Sequence, residues 1–143
     1  VDDMVAALGA ETTPVAGETE MMAALQRGDA LRGDAQRFGV VSAEGCVVVE
    51  LPRPTHELAV GSLQDFLDRW LAENEDAGVD YVHGEESTVE LARQGDNVGF
   101  LLPAIGKNDF FRSIAVNGPM PRKTFSMGHA VDKRFYLECR AIS

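Results

Sequence analysis

The sequence predicts a single compact α+β (or α/β) domain, a mixed sheet of about five strands with helices packed on it. Three observations carry that prediction. At 143 residues the chain is long enough for one buried core and too short for two ordinary domains. Its 45% hydrophobic and 25% charged composition lies in the range of soluble globular chains. Along its length, short β-branched runs are interleaved with stretches of helical periodicity, without repeats, which is the pattern of helices layered on a sheet. The sheet-containing core is expected over 36–143, with peripheral helices and loops over 1–35.

Residues 2–8 read as the last turns of a helix, and "GAETTPVAGE" as a connection. "TEMMAALQRG" reads as a short helix capped by Thr19, with Met21, Met22 and Leu25 inward and Gly28 as its stop. After the polar loop "GDALRGDA", the runs "RFGVVS" and "CVVVEL" stand at hairpin spacing across "AEG". Val47, Val48 and Val49 are consecutive, which predicts a central strand covered on both faces. "PRPTH" breaks regular structure, and "SLQDFLDRWLAENE" is then the clearest helix in the chain. Its Leu63, Phe66, Leu67, Trp70 and Leu71 form one apolar stripe, with Ser62 as N-cap and Asp65 in the first turn. "VDYVHG" alternates and reads as a strand. "STVELARQG" reads as a two-turn helix with a Ser87–Glu90 capping box, stopped at Gly95. "NVGFLLP" predicts a buried strand, "KNDFFRSIAVNG" a short helix, and "KRFYLECRAI" a last, half-buried strand.

Charge narrows the partners. The net charge of -10 argues against nucleic acid and against an anionic membrane surface, both of which need clustered positive charge. No apolar run approaches the ~18 residues of a membrane-spanning helix. The distribution is uneven: residues 1–106 hold 20 of the 23 acids and 6 of the 13 bases, whereas 107–143 hold 3 acids and 7 bases. Cys46 and Cys139 are too few for a disulfide scaffold, and each lies in an apolar run, so reduced thiols and a cytoplasmic setting are expected.

The positive quarter contains "GPMPRKTFSMG", where Arg122 and Lys123 offer charge, Thr124 and Ser126 offer hydroxyl donors, and Gly128 permits close backbone approach. That set suits an anion. It is not a Walker loop, which needs glycine six residues and one residue before the lysine, where Asn117 and Arg122 stand here. A rigid connector with solvated basic side chains is the plainer reading. "HGEES" is the second candidate. His83 is suited to proton transfer near neutral pH, and Glu85 and Glu86 beside it could share that work or face a magnesium ion near a phosphate. The same two carboxylates also suit the first turn of the following helix, through its dipole. His56, His83 and His129 are widely separated and there is no HExxH, so no zinc centre is expected; nor does any G-x-S-x-G nucleophile elbow occur. His56, in "PTHE", reads as an exposed or capping residue.

Taken in order, "ELAVGSLQDFLDRWL", "VDYVHGEE", "NVGFLLPAIGKNDFF", "PRKTFSMG" and "KRFYLECR" resemble the C-terminal part of the prokaryotic proteins grouped as domain-of-unknown-function family 1015, over residues 38–142. His129 departs from the family's pattern, which more usually has an acidic residue after "SMG". The resemblance implies the C-terminal piece of a longer protein and carries no assigned activity. Two functions follow as expectations. In the first, the chain is an enzyme segment: Arg122, Lys123, Thr124 and Ser126 hold the anionic group of a small metabolite or nucleotide, His83 and Glu86 are the catalytic candidates, and an N-terminal region supplies the rest. In the second, it is a non-catalytic accessory domain that docks on that region or on a second copy of itself.

Overall fold

A computed structural model describes residues 1–26, 35–104 and 114–115. Eight elements follow in order: α1 (Asp2–Leu8), β1 (Glu11–Val15), α2 (Glu18–Gln26), β2 (Gln36–Ser42), β3 (Gly45–Leu51), α3 (Ala59–Glu73), α4 (Glu85–Ala92) and β4 (Gly99–Leu101). The strands form one four-stranded sheet in the order β1-β3-β2-β4, and every pairing is antiparallel. The fold is α+β. The expected mixed sheet of about five strands is corrected to an antiparallel four among the described residues; the predicted "KRFYLECRAI" strand lies outside them.

The β2–β3 hairpin forms as its spacing predicts, with Ser42 paired to Gly45 and Val40 to Val47. Gly45 has φ 140, a conformation that a side chain disfavours and that the turn out of "AE" requires. Consecutive valines serve opposite faces. Val48 joins Met21, Leu25, Val41, Cys46, Val89, Ala92 and Leu101 on the α2/α4 side. Val49 joins Met4, Phe38, Val40, Leu51, Leu63 and Phe66 on the α1/α3 side, where Val47 packs as well. The predicted stripe of α3 is the one that is used, Leu63 and Phe66 being buried and Leu67 and Trp70 packed against them.

Residues 11–15 are the first departure from expectation. Read as a connection because of Pro14, they pair with β3 as an edge strand, Pro14 opposite Val47. Hydrogen-bonded and non-hydrogen-bonded pairs alternate outward from the Ser42–Gly45 closing pair, which directs Val15, Thr13 and Glu11 toward β3 and leaves Thr12 and Pro14 facing away. Proline has no N–H to give, and at this position β3 asks for none. With Met4, Met21 and Leu25 also buried, the first 35 residues, expected at the periphery, contribute a strand and core side chains.

"VDYVHG" is the second departure, for residues 79–84 adopt no strand. Val79, Tyr81 and Val82 are all exposed, so the alternation in sequence matches no half-buried face. Local bonds take the backbone instead: the Tyr81 N–H donates to Asp80 Oδ1 at 2.8 Å, and the Tyr81 hydroxyl donates to Gln64 Oε1 on α3 at 3.1 Å. Helix starts also differ. α2 begins at Glu18 rather than after a Thr19 cap, with the Glu20 carboxylate accepting the Ala16 N–H at 2.8 Å. α4 begins at Glu85 with Gly84 as N-cap, ahead of the predicted Ser87–Glu90 box. α3 begins at Ala59, which places Ser62 inside the helix and not at its cap.

Candidate functional site

Of the two sequence motifs, "HGEE" falls among the described residues, whereas Arg122, Lys123, Thr124 and Ser126 lie outside them. The "HGEE" backbone is shaped by Gly84, whose φ of 99 and ψ of 139 lie where a β-carbon is strained. That turn allows the chain to leave the exposed 79–82 segment and enter α4 directly, with Glu85 and Glu86 in its first turn. Carboxylates are commonly favoured at such a position by the unpaired N–H groups of a helix start. The Thr88 hydroxyl donates to the Gly84 carbonyl at 2.9 Å and ties the turn down from inside the helix.

What holds α4 in place is its close approach to the sheet. A β-carbon on Gly99 of β4 would lie 2.7 Å from Ala92 Cβ and 3.2 Å from Thr88 Cγ2, so glycine at that position lets the helix pack at this distance. Val89 and Ala92 are the side chains thereby buried. α2 lies alongside, and Arg93 Nη2 to Glu18 Oε1 at 2.6 Å joins the end of α4 to the beginning of α2. Between the two helices runs an open groove of about 430 Å³. Met22, Val89 and Leu101 give it an apolar lining, and Glu18, Glu85 and Glu86 give it negative charge.

Glu86 therefore lines a concave surface, as does its neighbour Glu85, while His83 is exposed and does not line it. Other contributors, among them Glu18 and Met22 on α2 and Leu101 on β4, were not singled out from sequence as site residues. No local pattern marks them, because they meet Glu86 only through the packing of α2 and α4 on one face. Chemically the groove suits a cationic or proton-donating group over an apolar floor, and it repels an anion. Among the described residues there is no group of three or more His, Cys, Asp or Glu that could hold a metal ion. Glu85 and Glu86 by themselves would leave a magnesium ion most of its ligands to find elsewhere.

A second polar cluster lies on the opposite side of the sheet, around His56. The Gln36 Nε2 donates to the His56 carbonyl at 2.5 Å, the His56 N–H donates to Ser62 Oγ at 3.2 Å, and the Ser62 hydroxyl donates to Gln36 Oε1 at 2.8 Å. The ring closes on itself. It fixes the backbone of the "PRPTH" loop against the first turn of α3, where Gly61 leaves room: a β-carbon there would be 2.8 Å from His56 Cβ. His56 Nε2 lies 2.8 Å from Asp65 Oδ2. His56, Asp65 and Ser62 do not form a nucleophilic triad, because Ser62 is fully buried and its oxygen meets the histidine backbone, not the imidazole. His56 is half-buried and carries this pairing, where the sequence suggested an exposed or capping residue.

No described helix is long and apolar enough to cross a membrane. Comparison of the chain with protein-family models, with curated proteins and with solved structures finds no match. The family resemblance thus rests on the motif residues themselves.

Proposed function

We propose that this chain is the ligand-binding segment of an enzyme acting on a small metabolite or nucleotide with an anionic group. In this reading Arg122, Lys123, Thr124 and Ser126 hold the phosphate or carboxylate, and Glu86, with His83 near it in sequence, serves proton transfer or faces a cationic part of the ligand. The single observation that supports it is the open groove between α2 and α4, a concave surface that Glu85 and Glu86 line. Because carboxylates in the groove repel an anion, this reading assigns charge recognition to the basic stretch and chemistry to the acidic one. An N-terminal region, as the family resemblance implies, would complete the site. A cytoplasmic, reducing setting belongs to the same reading, in which the buried Cys46 packs as a small apolar side chain.

The test is a thermal-shift screen of the chain with nucleotides and phosphorylated metabolites, run in parallel on Lys123→Ala and Glu86→Gln. A true ligand at about 100 times its Kd stabilises the folded state by about 2.7 kcal/mol. The Lys123→Ala protein is expected to lose that shift. Equal shifts in the original and the Lys123→Ala protein would remove the basic stretch from the site.

A second reading, an accessory domain that docks on an N-terminal region or a second copy, is favoured by one observation. Val79, Tyr81 and Val82 expose 40%, 42% and 37% of their surfaces in the segment that leads into "HGEE". Sedimentation of the chain across a concentration series separates the readings. Self-association abolished by Tyr81→Ser supports docking, and a monomer at every concentration removes the second-copy form of it.

A further inference from the structure

We draw no further inference here: the strongest candidate, the acidic groove between α2 and α4, belongs to the site already described, and nothing in the structure shows what covers it.

Discussion

On the face of the sheet toward α1 and α3, Phe38, Val40, Val49 and Leu51 are each at most 1% exposed, under a 15-residue helix whose apolar stripe is continuous. On the other face two shorter helices, α2 and α4, share the cover. Met21 and Val41 are as deeply buried there, yet a groove remains between the helices, with Glu18, Glu85 and Glu86 around it. The long α3 with α1 beside it fills its side of the small sheet, whereas α2 and α4 leave a seam between them. The seam is where the sequence motif with chemical potential emerges, and the filled face is where the polar groups are spent on bonding one another.

The sharpest way to test that contrast is to remove a ring from the filled face. Phe38 is fully buried and meets Phe100 edge-on, with ring centroids 6.3 Å apart. Phe38→Ala is expected to cost about 3–5 kcal/mol, through lost transfer energy plus the cavity left behind. Urea unfolding followed by circular dichroism checks it. A loss below about 1 kcal/mol would mean that this face relaxes as readily as the other.

Next in size is the closed ring of Gln36, Ser62 and His56. Ser62→Ala removes the acceptor of the His56 N–H and the donor to Gln36 Oε1 together, and both are part-buried or buried. The expected loss is about 2–3 kcal/mol, from polar groups left without partners. Gln36→Leu with Ser62→Ala tests the cause. If unsatisfied groups are responsible, the double variant stays close to Ser62→Ala alone, because it removes the orphaned Gln36 Oε1 but deprives the His56 carbonyl of its Gln36 Nε2–H donor. Additive losses would point to packing instead.

These positions also show what was legible beforehand. The hairpin, the two-faced valine strand and the α3 stripe could be read because each depends on a local period that one strand or helix imposes by itself. Pro14 hid β1, since whether proline suits a strand depends on which edge it faces, and that is settled only by pairing with β3. "VDYVHG" has the right alternation but pairs with no strand among the described residues, and Asp80 and Gln64 accept the donors of Tyr81. Ser62 looked like a cap because caps and buried hydroxyls use the same residue type; Gln36, 26 residues away, decides between them. The candidate site was half legible for the same reason. "HGEE" is a local motif, but the groove that Glu86 lines is made by α2, α4 and β4 together.

On the seam side, Gly99 sets how closely α4 approaches the sheet. Gly99→Ala brings a β-carbon to 2.7 Å from Ala92 Cβ, and both lie on elements with little freedom to yield. An expected cost of about 1–2 kcal/mol accompanies a displaced α4. Gly39→Ala is the control: its β-carbon meets the Met21 thioether at 2.6 Å, the far part of a flexible side chain, so the smaller loss is expected there. Thermal unfolding of the two variants side by side checks the order. The reverse order would show that α2, and not α4, is the rigid wall of the groove.

The smallest effect on folding is expected at the residue with the largest proposed role. Glu86 is exposed, in the first turn of α4, and among the described residues no hydrogen bond or ion pair depends on its charge. Glu86→Gln keeps its size and removes only the charge, so stability should stay within about 0.5 kcal/mol. A carboxylate kept merely for the helix dipole predicts a small, salt-sensitive loss and no change in ligand response. A carboxylate that serves the groove predicts unchanged melting without ligand and an altered shift with any compound that stabilises the original chain. Measuring both melting temperatures, at low and high salt, therefore separates helix start from site in one residue. An unaltered ligand shift in Glu86→Gln would return the acidic motif to the fold alone and leave the seam without chemistry.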